Sequence, residues 1–192
     1  MRRALLGLVL VGLSLPALAV RVSHRWLLPV DQEGHQEATV VVYQAGNPAV
    51  WFPTVGTDEA TGQWAWSLSI DISPAAAKGT WVIAGQDLGW VAAERFSWSD
   101  PTGPLHWVPF PAPVGRTGGL YFPLPALDPG VVDHYEVLVN GHAYPVKPGS
   151  GDIKDVPFRE GCRVRMRAIL IGHPAQDLLS PIVAVGIDRG AT

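Results

Sequence analysis

The chain has 192 residues and a formal net charge of −3 at pH 7, with 47% of its residues hydrophobic and 16% charged. A mildly acidic chain lacks the basic surface that nucleic acids require, so we expect no nucleic-acid partner. A single cysteine, Cys162, excludes an intrachain disulfide, and eight tryptophans, 18 prolines and 21 glycines are typical of a turn-rich β protein.

The first predicted element is a secretory signal peptide at residues 1–19. An apolar run follows two N-terminal arginines, and the small-residue site Ala17-Leu18-Ala19 ends the segment. The run is shorter than the roughly 20 residues that span a bilayer, so we expect cleavage after Ala19 and no stable membrane span afterwards. An uncleaved anchor is the competing interpretation. The protein is therefore expected to be secreted, periplasmic or at the cell surface.

Residues 20–108 predict a β-sandwich-like domain. In the clearest strand, Gln63–Ser73, every second residue is large and apolar: Trp64, Trp66, Leu68, Ile70 and Ile72. Runs of β-branched and aromatic residues predict further strands at Val20–Trp26, Ala38–Tyr43, Thr80–Ala84 and Trp90–Ala93. Gly85–Gly89 is expected to be a hairpin loop. About five or six strands of this kind are enough for a sandwich.

The stretch from Asp100 to Gly119 is the densest in proline and glycine, which predicts a domain boundary. We therefore assign residues 109–192 to a second domain. Its strongest pattern is Cys162–Leu170, where apolar residues alternate with arginines, so one face should be buried, Cys162 included. Asn140-Gly141 predicts a type I′ hairpin turn after a strand at Tyr135–Val139.

Five short motifs follow one another in this second half: Pro111-Ala112-Pro113, Leu120–Pro125, Tyr135–Val139, Phe158–Ala168 and Ser180–Val185. Their order resembles a fibronectin type III domain over roughly residues 109–189. The resemblance implies an interaction or spacer module without a reaction of its own. Phe122 replaces the family's core tryptophan, and Cys162 replaces its corner tyrosine. The predicted fold is all-β, with two tandem immunoglobulin-like or fibronectin type III-like sandwiches after the signal peptide.

No residue pattern indicates catalysis, a metal or a cofactor. The six histidines form no i, i+4 pair, and neither H-E-x-x-H nor C-x-x-C occurs. Ser150 lacks the G-x-S-x-G elbow of a nucleophile, and a buried Cys162 would disfavour its thiolate. We therefore predict a protein that is not an enzyme and has no cofactor, no metal site and no catalytic residue.

Trp51 and Phe52 are the candidate binding residues. They lie in the loop from Asn47 to Thr54, between Pro48 and Pro53 and outside every alternating run. Neighbouring residues of an extended segment point to opposite sides, so at least one ring should face solvent. Anchoring of the loop to the core is the competing interpretation.

The sequence thus predicts an exported, non-catalytic binding or spacer protein whose partner is another envelope or extracellular protein, or a glycan. A carbohydrate-binding module is the alternative, because aromatic platforms on β-sandwiches suit sugar rings. Two exposed, coplanar rings would favour the glycan, whereas a bare sheet edge or flat apolar patch would favour a protein. The sequence names neither the ligand nor the oligomeric state.

Overall fold

The computed structural model describes residues 19–99, 102–116, 119–146, 152–153, 161–172 and 177–184. Within them the chain is nearly all β, with seventeen strands and two short 3₁₀ helices, Val30–His35 and Ala76–Lys78. The all-β prediction is confirmed, and the sheets pack in a sandwich-like arrangement. Apart from Ala19, the predicted signal peptide lies outside the described residues.

The described strands follow one another along the whole chain. They are β1 (Val20–Leu27), β2 (Thr39–Gln44), β3 (Val50–Trp51), β4 (Thr54–Thr57), β5 (Trp64–Ile72), β6 (Trp81–Asp87), β7 (Trp90–Phe96), β8 (Thr102–Pro104), β9 (Val108–Pro109), β10 (Val114–Arg116), β11 (Gly119–Tyr121), β12 (Val132–Val139), β13 (His142–Val146), β14 (Asp152–Ile153), β15 (Arg163–Leu170), β16 (Asp177–Leu179) and β17 (Val183–Ala184).

Two larger sheets lie on either side of a central sheet. The central sheet has the strand order β3-β2-β6-β7-β9. The first outer sheet has the order β4-β5-β1-β8, and the second outer sheet has the order β13-β12-β15-β16, with β17 also paired to β15. A small sheet, β10-β11-β14, contributes Leu120 to the same core as the second outer sheet.

The central sheet is buried on both faces. Along β2, Val40 and Val42 join one core cluster with the first outer sheet, whereas Val41 and Tyr43 join a second cluster with the second outer sheet. A strand covered on both faces needs a continuous apolar run rather than an alternating one, and Thr39–Gln44 has such a run.

The strand predictions hold closely, but the hairpin loop predicted at Gly85–Gly89 is wrong in its bounds. Gly85–Asp87 extends β6 and pairs with β7, so only Leu88 and Gly89 form the turn. All five apolar residues of one face of β5 pack in the first cluster, as their alternation predicts. The hairpin between β12 and β13 turns at Asn140 and Gly141, whose φ angles of 49° and 88° are those of a type I′ turn, and Val139 pairs with His142.

Two predictions in the second half need correction. Of the closing strand expected at Ser180–Val185, only Val183–Ala184 forms a described strand, and Val185 lies outside the described residues. β16 ends at Leu179, before the predicted start, and Pro181, which has no N–H to donate, interrupts the pairing with β15 between β16 and β17. Cys162 is half-buried at the margin of the core rather than inside it, since it precedes β15 at the end of the sheet.

The second cluster draws on both predicted domains. It joins Val82 and Ala84 of the central sheet to Val137 and Met166 of the second outer sheet. The short strand β9, which spans the predicted 108/109 boundary, pairs with β7 of the central sheet. The domain boundary at 108/109 stays a prediction, but residues from both sides of it pack together in this buried cluster.

Candidate functional site

Trp51 and Phe52 point to opposite sides of the chain, as neighbours on an extended segment should. Trp51 pairs with Val42 in the central sheet and packs its ring against the buried Trp81, with 5.1 Å between ring centroids. Phe52 has 64% of its surface exposed. The structure therefore leaves one of the two predicted binding residues, Phe52, available to a partner and places the other against the core.

The strand that follows Phe52 is an exposed sheet edge. All four residues of β4 are exposed, including the apolar Val55 at 40%. Within the described residues β4 pairs with β5 alone. Alternate residues of such a strand direct their N–H and C=O groups away from the sheet, where they can pair with another chain.

The other described edge strands are protected in ways that β4 is not. Prolines interrupt β8, β9 and β13, and β3, β14 and β17 have two residues each. Arg116 lies in β10 and Asp177 in β16. Short length, proline and charge are the usual devices that prevent pairing at sheet edges. The sequence Thr-Val-Gly-Thr makes β4 the longest described edge strand with neither proline nor charge.

A buried carboxylate holds the turn that follows β4. The side chain of Asp58 is 3% exposed, and its Oδ1 accepts hydrogen bonds from the Thr61 backbone N–H at 2.8 Å and the Thr61 hydroxyl at 2.9 Å. Its Oδ2 pairs with the guanidinium of Arg25 on β1. These bonds, those from Thr61 first, hold the pKa of Asp58 below its ordinary value. A charged, hydrogen-bonded anchor thus fixes the end of β4.

A polar cavity of about 550 Å³ lies beside this anchor. Its lining includes Arg25, Ser67, Glu59 and the whole of β4. The outer face of the sheet continues this polar surface, because Arg21 pairs with Asp71 at 3.0 Å and the hydroxyls of two opposed serines share a hydrogen bond. The site therefore combines a polar floor, an open strand edge and one exposed aromatic ring.

His35 and Asp87 are the other candidate pair that the fold creates. Nδ1 of His35 lies 2.9 Å from Oδ2 of Asp87, and this hydrogen bond is the main cause that lowers the pKa of Asp87. The His35 ring stacks on Trp107 and contacts Trp90. Nucleophilic catalysis needs a hydroxyl or thiol in contact with the histidine, whereas the His35 ring contacts Asp87, Trp90 and Trp107 in the described part of the chain. The pair docks a 3₁₀ helix on the central sheet.

Among the described residues, the exposed aromatic rings do not form a platform. Phe52 follows β3, whereas the exposed Trp90 begins β7, three strands away in the central sheet. Strand spacing separates them by about 14 Å or more. Among the residues that the structure describes, no cluster of three His, Cys, Asp or Glu side chains is suited to a metal ion.

Sequence reasoning found Phe52 but missed β4, Arg25 and Asp58. The alternation of Thr54, Val55, Gly56 and Thr57 is too short to stand out, although its β-branched residues are a usable signal. Arg25 and Asp58 are 33 residues apart, so their pairing has no local signature.

The chain matches no protein-family model and no curated protein. In the described part of the chain, no helix has both the length and the apolar character needed to cross a membrane.

Proposed function

We propose that this protein is an exported, non-catalytic binding protein that pairs with an extended segment of another envelope or extracellular protein along β4. The observation that carries the proposal is the open edge of Thr54–Thr57 beside the exposed ring of Phe52. Strand addition of this kind takes affinity from main-chain hydrogen bonds and specificity from alternate side chains. Large aromatic residues contribute disproportionately to interfaces, which makes Phe52 the expected anchor.

The anchored turn supports the same proposal. Asp58 and Arg25 fix the end of β4, and Gly62 donates a backbone hydrogen bond to the carbonyl of Asp58 at 2.8 Å. An edge that is already ordered loses little conformational entropy when a partner strand pairs with it. The second half, which resembles a fibronectin type III domain, is then proposed to act as the spacer or a further interaction surface.

A carbohydrate-binding role is the alternative, and one observation favours it. The cavity on the first outer sheet, whose lining begins two residues after Phe52, is lined by hydroxyl and charged groups from Thr54, Thr57, Ser67 and Arg25. Such groups suit hydroxyl-rich ligands, and a single exposed ring can stack on one sugar.

The test is selection of extended peptides on the purified protein, followed by calorimetry and amide hydrogen exchange. We expect selected peptides to protect amides of Thr54–Thr57, and Phe52→Ala to weaken binding tenfold or more, about 1.4 kcal/mol. Val55→Lys, which adds a charge at the edge, should weaken it similarly. Leu88→Ala is the matched control, because it removes another exposed apolar side chain, in the turn between β6 and β7 and outside the proposed site.

A glycan array with the same variants separates the two functions. Glycan binding that Phe52→Ala abolishes, with no peptide selected, would replace strand addition by carbohydrate recognition. Trp51→Ala should lower the melting temperature because its ring packs on Trp81, whereas Phe52→Ala should leave it nearly unchanged. Export is checked by intact mass, since the mature chain should begin at Val20.

A further inference from the structure

The outer face of β15 carries three arginines at alternate positions, and one of them is fully paired. Arg167 donates from Nε to Oε2 of Glu136 at 2.8 Å and from Nη1 to Oδ2 of Asp177 at 3.3 Å. The two acids come from β12 and β16, the strands on either side of β15. Flanking carboxylates thus neutralise this end of the arginine row.

The other two arginines, Arg163 and Arg165, have neutral neighbours. Arg165 lies opposite Leu138 on β12, and Arg163 lies opposite Ala184 on β17. In the part of the chain that the structure describes, no hydrogen bond or ion pair involves either guanidinium group. The remaining arginines with described side chains behave differently, because each pairs with an aspartate: Arg21 with Asp71, Arg25 with Asp58, and Arg95 with Asp128.

A cavity of about 430 Å³ adjoins these two arginines. Its walls include Leu138, Ile182 and the Asn140-Gly141 turn. Ile182 is an apolar residue with 46% of its surface exposed. The turn is fixed against β15, because Oδ1 of Asn140 accepts a hydrogen bond from the backbone N–H of Arg163 at 2.9 Å. The cavity is therefore positive along its strand and apolar on the two opposite walls.

We propose that Arg163 and Arg165 form a binding site for an oxyanion group carried by a ligand with an apolar body. The oxyanion is a phosphate, sulfate or carboxylate that bridges the two guanidinium groups, and the apolar body packs on Leu138 and Ile182. Residues two apart on a strand lie roughly 6.7 Å apart on one face, a distance at which two arginine side chains reach one anion.

Size and charge both favour such a ligand. An isolated oxyanion fills a small part of a cavity of about 430 Å³, so the cavity has room for an apolar body attached to it. Two adjacent guanidinium groups repel each other, and an anion between them turns this repulsion into attraction. The site lies on the second outer sheet, on the opposite side of the central sheet from β4. It is independent of the strand-addition proposal, and either can fail alone.

The test is titration of the isotope-labelled protein with phenyl phosphate, benzoate, inorganic phosphate and benzyl alcohol, followed by NMR. We expect saturable shifts at Leu138, Gly141 and Ile182 with phenyl phosphate or benzoate, and at least tenfold weaker binding of inorganic phosphate. The tighter of the two aromatic anions identifies phosphate or carboxylate as the preferred group. Binding should weaken as salt concentration rises.

Variants of the two arginines provide the decisive comparison. The double variant Arg163→Gln/Arg165→Gln should lose tenfold or more in affinity, and the double lysine variant should retain part of it because charge remains without the planar fork. Arg21→Gln, which removes a paired arginine from the first outer sheet, should bind normally. Equal binding by the glutamine variant, equal binding of benzyl alcohol, or no saturable shift with either aromatic anion would overturn the proposal.

Discussion

The two faces of the central sheet are packed by different chemistry. On the face toward the first outer sheet, seven of the eight tryptophans join one cluster: Trp26, Trp66, Trp81 and Trp107 are buried, and Trp51, Trp64 and Trp98 are partly buried. On the other face, the described cluster contains no tryptophan and consists mainly of valine, alanine, leucine and methionine.

The difference shows two ways to fill the space between sheets. Aromatic rings on the first face meet edge-on, as in Trp26 with Phe96 at 4.9 Å and Trp81 with Trp98 at 5.1 Å, a favoured geometry for ring pairs. A buried indole N–H usually finds an acceptor, and that of Trp81 donates to the carbonyl of Ala76 at 2.8 Å, whereas the N–H groups of Trp66 and Trp107 have no partner among the described residues. The second face has no indole among its described residues and is filled mainly by aliphatic side chains, and its one buried tyrosine, Tyr43, donates its hydroxyl hydrogen to the carbonyl of Ile171 at 3.3 Å.

The largest expected effect on stability comes from separating the second outer sheet from the central sheet. A fragment of residues 109–192 would expose Val137, Val139 and Met166, which in the whole chain share a cluster with the central sheet. We expect this fragment to lack a cooperative thermal transition, because it loses part of the apolar burial that offsets its conformational entropy. Calorimetry of fragment and full chain checks this. A sharp melt of the fragment would instead show two independent cores.

Removing a central ring should be the costliest single substitution on the aromatic face. Trp81→Ala should reduce the free energy of unfolding by about 3–5 kcal/mol, since it leaves a cavity beside three other aromatic rings and removes the bond to Ala76. On the aliphatic face, Met166→Ala should cost about 2–5 kcal/mol. Urea denaturation measures both losses. A loss of less than about 3 kcal/mol for Trp81→Ala would contradict tight packing of the aromatic rings.

Adding one methyl group tests the fit between the central sheet and the aromatic cluster. A Cβ on Gly85 would lie 2.6 Å from Cη2 of Trp107. Gly85→Ala should therefore destabilise the protein by about 1–3 kcal/mol through overpacking. Gly56→Ala is the matched control, because a Cβ at Gly56 on the open edge would meet no atom within 4 Å. Equal melting temperatures for both variants would show that the ring of Trp107 moves freely.

The smallest expected effects are changes in stability with pH, which run in opposite directions for a side chain on each outer sheet. Because the pKa of Asp58 is lowered, its contribution to stability exists above its unfolded-state pKa and disappears as pH falls below about 4. A hydrogen bond to Asp133 raises the pKa of His134, so its contribution exists below about pH 6.5 and disappears as pH rises through the raised value.

Thermal melts across pH test this opposition with one variant on each sheet. The gap in melting temperature between the native protein and Asp58→Asn should narrow toward acid, whereas the gap for His134→Gln should narrow toward alkali. If both gaps follow pH in the same direction, the hydrogen bonds assigned to these two side chains are wrong.

Much of the local structure could be predicted from the amino-acid sequence. Alternation placed the buried face of β5, the β-branched run in Ala38–Tyr43 predicted a buried strand, and Asn140-Gly141 predicted the hairpin turn. These features depend on neighbours within a few residues, so backbone geometry and side-chain period are enough to predict them. The exposure of Phe52 could be predicted for the same reason.

Tertiary structure alone decided which surfaces meet. No local pattern tells that the two faces of β2 are covered by different halves of the chain, or that β4 is left at an edge. Nor does one tell that, among the described residues, carboxylates reach Arg167 but not Arg165. These features depend on pairs of residues far apart in sequence, brought together by sheet order. A strand's period fixes which side chains share a face, whereas the strands packed beside it decide whether that face is core, interface or binding site.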